Sequence, residues 1–346
     1  MKIMRIGLDL AKQVFQIHGV DAHEKTVCRK QLRRHQLIDF FRKLEPCLIG
    51  MEACASSHYW ARTFQAMGHT VKLIAPQFVK PYVKTNKNDA NDAEAICEAM
   101  SRPSMRFVPI KTVEQQDLQA LHRIRTELIH QRTAKVNQTR GLLGEYGVVV
   151  APRVDCLRKA LPVLLEDAEN GLTAQFRVLL QGLQDDLVGL DEWLKTLDQA
   201  MQHQANENVA AKKLQQLRGV GPITATALVA AIGNAKDFKQ GRDLSAWVGL
   251  VPRQHSSGGK DRLLGISKRG DAYLRTLLIH GARAVIKTAA NKDDRLSQWI
   301  QGLCTRRNKN IAAVALANKT LRMAWALLVS DANYDPNYGL AGDVAT

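Results

Sequence analysis

The sequence predicts an α/β N-terminal domain, a long helical connector and a mainly helical C-terminal domain. Three observations carry this. Short Val- and Ile-rich runs alternate with helical stretches over roughly the first hundred residues. Beyond them apolar residues recur at threes and fours with few strand formers. At 346 residues the chain is also longer than one core usually organises. The expected division is 1–108, 109–208 and 209–332, with a loosely ordered tail at 333–346 that is rich in turn formers.

In the first region IMRIGLDL, VFQIHGV, CLIGMEA and VKLIAP are short enough for strands, and LIDFFRKL and SHYWARTFQAMG lie between them as helices. A hairpin start followed by βαβ units predicts a mixed sheet flanked by helices. LQALHRIRTELIHQRTAKVNQTRGLL and LLQGLQDDLVGLDEWLKTLDQAM then read as long amphipathic helices forming an antiparallel coiled-coil pair. The last region carries helical periods up to IAAVALANKTLRMAWALLV.

Charge narrows the function. The formal net charge is +16, which points to a polyanionic partner. The surplus is concentrated: residues 151–210 hold five Lys/Arg against ten Asp/Glu, whereas 251–310 hold thirteen against four. No apolar run reaches the ~20 residues that span a bilayer, and the start MKIMRIGLDLAK lacks a signal peptide's apolar stretch, so no membrane partner is expected. Six scattered cysteines without a C-x-x-C pair argue against structural zinc and for buried thiols in a reducing cytoplasm.

Four carboxylates form the first candidate site. Asp9 and Glu52 each end an apolar run, which places them at strand termini. Asp89 and Asp92 stand three apart where a helical pattern begins, hence on one face. Such oxygen donors suit one or two Mg²⁺ ions, and two ions about 4 Å apart would stabilise both the entering and the leaving oxygen of a phosphoryl transfer. Asp89 and Asp92 also read as ordinary cap and first-turn residues, and Glu52 as an ion-pair partner.

The second candidate site lies in the last region. LRGVGPITATALVAAIG places Gly219 and Gly221 in a turn before Pro222 at a first helical position, a helix-hairpin-helix whose amides would contact a DNA phosphate; a plain tight turn is the alternative. PRQHSSGGKDRL follows, with Ser256, Ser257 and the basic residues Arg253, Lys260, Arg262, Lys268, Arg269 and Arg275 among glycines. A serine hydroxyl needs its proton taken and its target's charge neutralised. His255 adjoins the pair, but no Asp/His pair of the esterase type is near, so nucleophile, DNA-backbone contact and plain turn all stay open.

Taken together, GLDLAK, IGMEAC, KNDANDAEAI and LRGVGPITATALVAAIG…FKQGRDLSAWVGLVPRQHSSGGKDRLLGISKRGDAYLR resemble the DEDD-type insertion-sequence transposases of family one hundred and ten, eleven-eleven subgroup, related to the Piv DNA invertase. The resemblance covers nearly the whole chain. It implies a RuvC-like, ribonuclease-H-type N-terminal domain whose Asp9, Glu52, Asp89 and Asp92 bind Mg²⁺. It implies a coiled coil used in oligomerisation, and Ser257 as a nucleophile forming a transient phosphoserine link to DNA. Partners implied are double-stranded donor and target DNA, a structured guide ("bridge") RNA, and further copies of the chain, dimers assembling to a tetramer. The implied place of action is the bacterial cytoplasm, on the nucleoid when DNA is bound. A serine without a local base makes sense if it works together with the carboxylates.

Three other readings compete. A RuvC-like nuclease or invertase without guide RNA would use metals and water and leave Ser257 idle. An actin-like ATPase wants Gly and Thr after the strand-end Asp, where this chain has Leu10, Ala11 and Lys12. A non-catalytic nucleic-acid binder would need no carboxylates. Conserving bond energy in a phosphoserine would explain recombination without nucleotide hydrolysis, and no Walker-type loop is present in the sequence.

Overall fold

The computed structural model describes residues 2–84, 88–330 and 332–336, arranged in two compact units, Met1–Val113 and Glu114–Thr346. In the first, β1 (Arg5–Leu10), β2 (Val14–Val20) and β3 (Thr26–Arg33) form an antiparallel meander. Then come α1 (Arg34–Arg42), β4 (Leu48–Glu52), α2 (Ser57–Ala66) and β5 (Thr70–Ile74). The short α3 (Pro76–Val79), α4 (Asp89–Ala99) and β6 (Phe107–Val108) complete the unit. The sheet order is β3-β2-β1-β4-β5-β6, with β4 parallel to β1 and to β5, and β6 antiparallel to β5. The mixed sheet expected from the alternating runs is therefore present.

Alternation along each strand divides the sheet into two unlike faces. Ile6, Leu8, Phe15, Ile17, Ile49 and Met51 are fully or almost fully buried, in one core with Leu37 and Phe41 of α1 and Trp60 and Phe64 of α2. The other face carries glycines in register, Gly7 beside Gly50. A Cβ on Gly7 would lie 2.0 Å from the Ala93 carbonyl oxygen of α4, and one on Gly50 would lie 2.1 Å from Met100 Sδ. These two positions are bare so that α4 can lie directly on the sheet.

The second unit begins with α5 (Val113–Glu145), α6 (Val154–Glu166) and α7 (Ala174–Glu207). Arg125 pairs with Asp198, Arg132 with Asp191 and Lys135 with Asp186, so α5 and α7 run antiparallel around Leu128, Leu194 and Leu197. Acidic side chains of the net-negative segment are thus matched to bases on α5. The basic excess of 251–310 has no such counterpart in sequence.

α8 (Val209–Gln215), α9 (Pro222–Ile232) and α10 (Gly241–Val248) follow, then β7 (Pro252–Gln254) and β8 (Leu263–Ile266). The chain goes on through α11 (Ala272–Ala289), α12 (Arg295–Arg306) and α13 (Lys309–Val329). The mainly helical expectation for this domain omits the β7–β8 hairpin. By length and composition α13 could cross a membrane, contrary to the expectation that no run qualifies. Its Ala312, Ala313, Leu316, Ala317, Leu321, Ala324 and Leu327 instead form part of the domain core, which explains its apolarity. Tyr334, at the start of the tail, packs on this core and its N–H donates to Gln216 Oε1. Residues 337–346 lie outside the described residues.

A buried polar link joins three of these helices. His122 of α5 bonds the Tyr273 hydroxyl at 2.9 Å and the Thr226 hydroxyl at 3.0 Å. Burial, then the nearby Arg125 charge, pulls the imidazole down to about 4, so it stays neutral in the fold. The unfolded chain takes up this proton near pH 6.5, whereas the folded chain does so only near 4. Stability is therefore complete above pH 6.5 and lost as pH falls through that window, by about 3 kcal/mol at most. Urea unfolding at pH 7 and pH 4 should show this loss, and His122→Gln should remove that share of the pH dependence.

Candidate functional site

The four carboxylates lie on the α4 face of the sheet. Gly7 and Asp9 share a face of β1, as Gly50 and Glu52 do of β4, and both glycines face α4. The pairing Leu8↔Met51 continues to Asp9 beside Glu52 at the carboxyl ends of two parallel strands. α4 starts at Asp89, and Asn88 is its N-cap, accepting from Ala90 N at 3.0 Å. Asp89 is therefore not needed as the cap. Asp89 and Asp92 stand on the first turn, four residues before Ala93 and Ile96 of the sheet-facing stripe. The α4 N-terminus lies at the Asp9 end of β1, because Ala90 and Asn91 line one cavity with Gln16, the β2 partner of Asp9.

The charge of this rim is felt locally. Burial first, then the Glu52 and Asp9 carboxylates, raises the Cys54 thiol. Among the described residues no three carboxylate, imidazole or thiol groups form a cluster that could hold a metal. Asp9 and Glu52 at the strand ends and Asp89 and Asp92 on the first turn of α4 are all oxygen donors, the kind that suits a hard divalent ion.

The serines occupy the tip of the β7–β8 hairpin. Lys260 N donates to Ser257 O at 3.1 Å across Gly258 (φ 56°) and Gly259 (φ 76°), both left-handed, a two-residue turn of the type that suits a hairpin. Two glycines between extended arms were the signal for it in the sequence. The structure also separates the two serines. Ser256 Oγ accepts from Gln254 Nε2 at 3.0 Å and from Arg262 N at 3.4 Å, so it braces the arms. Ser257 is exposed, with no side-chain partner among the described residues, beside exposed Arg253, Lys260 and Arg262.

The root of the hairpin is rigid. Gly249 and Gly270 accept neighbouring backbone so closely that a Cβ would lie 1.9 Å from Arg269 O and 1.8 Å from Trp247 O respectively. Arg275 Nη1 donates to Val248 O at 2.8 Å and to the Arg269 and Gly270 carbonyls at 3.2 Å. Arg275, expected at the nucleic acid, thus braces this root, because three carbonyls converge on its guanidinium. Lys268 and Arg269 are exposed on the turn it holds. Gly219 likewise has a packing reason: its Cβ would come within 2.8 Å of Gly281 O on α11. Gly221 is exposed at the N-cap of α9, with nothing near its missing Cβ.

The similarities of the chain define its class as transposase. Residues 6–148 match the model for the DEDD domain of IS110 transposases, and residues 211–297 match "Transposase IS116/IS110/IS902 family". The chain is 55% identical to a "Probable family 20 transposase" of Pseudomonas aeruginosa, over 97% of this chain and 100% of the relative. It is 47% identical to the "Transposase for insertion sequence element IS1111A" of Coxiella burnetii, over 96% and 92%. A "Transposase for insertion sequence element IS1328" of Yersinia enterocolitica is 42% identical, over 93% and 96%. The chain belongs to the IS110/IS116/IS902 family of transposases. It is therefore an enzyme of a mobile insertion sequence that acts on DNA, and its DEDD domain implies a divalent metal.

Proposed function

We propose that this transposase is RNA-guided and cuts and rejoins DNA through a serine nucleophile supported by Mg²⁺ at the four carboxylates. The observation that carries the reading is the shared sheet face: Asp9 and Glu52 end adjoining strands at the first turn of the helix bearing Asp89 and Asp92. The β3-β2-β1-β4-β5 order with an antiparallel β2 supports a ribonuclease-H-type, RuvC-like domain. Asp9, Glu52, Asp89 and Asp92 would hold the metal, which supplies charge stabilisation at the scissile phosphate.

Ser257 Oγ attacks phosphorus, forming an Oγ–P bond as the P–O bond to the departing strand breaks. The serine proton leaves to a base or solvent, and the departing strand end becomes a hydroxyl. A strand hydroxyl from another DNA then attacks the phosphoserine, freeing Ser257 and restoring a phosphodiester. One bond forms for each one broken, so no nucleotide hydrolysis is needed. Arg253, Lys260, Arg262, Lys268 and Arg269 serve as backbone contacts around the hairpin, and the Gly221 amide at the α9 N-terminus as a further phosphate contact.

Specificity is delegated to pairing between a structured RNA and both DNA partners, and the long α5–α7 pair supports assembly of dimers into a tetramer. Purification of the chain from cells carrying the whole element, followed by sequencing of bound RNA, tests the guided reading. A discrete structured RNA encoded in the element is expected. Its absence from an active preparation would favour an enzyme that reads DNA through protein contacts.

A further inference from the structure

The row of side chains that contains the carboxylates does not stop at Asp9. Gln16 pairs with Asp9 across β1 and β2, and Gln31 pairs with Gln16 across β2 and β3. Cross-strand partners point to the same face, so Glu52, Asp9, Gln16 and Gln31 form one line across four strands on the α4 side. The two acidic members are followed by two carboxamides. Gln16 is half-buried, Gln31 is exposed, and neither side chain is hydrogen-bonded within the described residues. With Arg29, His18, Asn91 and Glu94 they line a cavity of about 210 Å³ beside the first turn of α4.

The chemistry of this cavity selects its occupant. Its strongest cation is already matched, Arg29 Nη2 donating to Glu94 Oε2 at 2.9 Å. Burial, more than any neighbouring charge, holds His18 below its ordinary value and therefore neutral. The other lining cation, Lys30, pairs across the strands with the core residue Ile17 and holds its Nζ 5.4 Å over the Phe40 ring, so on the α4 face a lone phosphate would meet the Glu94 carboxylate without a free cation to offset it. Carboxamides, by contrast, present donor and acceptor together, the complement of a base edge, and Glu94 adds an acceptor.

We propose that this cavity is a subsite for one unstacked nucleobase of the cleaved strand, adjacent to the scissile phosphate, with Gln16 and Gln31 reading its edge. This rests on the proposal that the carboxylates are the cleavage site. Removing a base from the stack is unfavourable, least so where the duplex is already opened. The subsite therefore favours strands separated before cleavage and adds a protein-read preference at one position.

The test uses the full chain, with any co-purifying RNA, and element-end DNA carrying 2-aminopurine in turn at each position around the cleavage point. Ca²⁺ replaces Mg²⁺ to permit binding without turnover. One position flanking the cut should brighten severalfold on binding, and Gln16→Ala/Gln31→Ala should abolish the signal. Gln31→Ala alone, an exposed change with little bearing on folding, should reduce it. In a cycle with an abasic nucleotide at that position, either change should weaken binding about tenfold, and the two together no further. Equal fluorescence in wild type and double variant, or independent losses in the cycle, would overturn the proposal. Cleavage by an Asp9→Asn variant in Mg²⁺ would instead sink the carboxylate reading on which it rests, so the two failures are distinct.

Discussion

Ser257→Ala should lower strand exchange by roughly 10⁴-fold or more, because a missing nucleophile leaves only binding and electrostatic assistance. Neighbouring Ser256→Ala should be far milder. Ser256 Oγ is bonded to Gln254 and to the Arg262 amide, so its loss slackens the hairpin without removing a reacting atom. Binding of element-end DNA should be nearly unchanged in Ser257→Ala, since the hydroxyl is exposed and touches no other described group. Gel-shift titration and a strand-exchange assay on the same preparations separate the two effects. Full exchange by Ser257→Ala would assign the chemistry to activated water.

Asp9→Asn should reduce cleavage by about 1,000-fold or more, since a metal contributes several kcal/mol of charge stabilisation that needs an anionic donor. The substitution keeps shape and removes one of two adjoining carboxylates, so thermal stability should hold or rise. A second readout is local. The Asp9 and Glu52 charges help to raise the Cys54 thiol, so Asp9→Asn should lower that value and speed Cys54 alkylation near neutral pH. Faster alkylation with lost cleavage would place the negative rim where the fold puts it. Unchanged alkylation would mean that Asp9 does not act on this rim.

Much of this arrangement is legible in the sequence because the N-terminal unit follows simple rules. Apolar runs of six to eight residues become β1, β2, β4 and β5, and an acidic residue at the end of two of them becomes the rim; the polar, mostly exposed β3 has no such run to announce it. The single-residue glycine signals were harder to read. Gly7 and Gly50 look like weak points in strands, yet they are what lets α4 bring Asp89 and Asp92 to the sheet. The carboxamide row is invisible in sequence, because strand register, not spacing, aligns Gln16 and Gln31 with Asp9.

The C-terminal unit yields less to pattern reading. Ser257 and Ser256 are adjacent and chemically alike, and only the hairpin's hydrogen bonds tell brace from free hydroxyl. Arg275 looks like its basic neighbours, and only the convergence of Val248, Arg269 and Gly270 carbonyls gives it a different task. Gly219 is similar, since the turn motif suggests a phosphate contact while the close approach of Gly281 explains the glycine. Local sequence names candidates, and tertiary neighbours assign their work.

The most direct test of the carboxylate-dependent serine mechanism is mass spectrometry of the protein–DNA adduct. The full chain is incubated with end-labelled element DNA and Mg²⁺, denatured, and digested with protease and nuclease. The mechanism predicts a nucleotide phosphate on the peptide containing Ser257, formed by the wild type and missing from Ser257→Ala, from Asp9→Asn and from EDTA-treated reactions. Strand exchange that proceeds with no such adduct, or an adduct that forms equally well in Asp9→Asn, would contradict it.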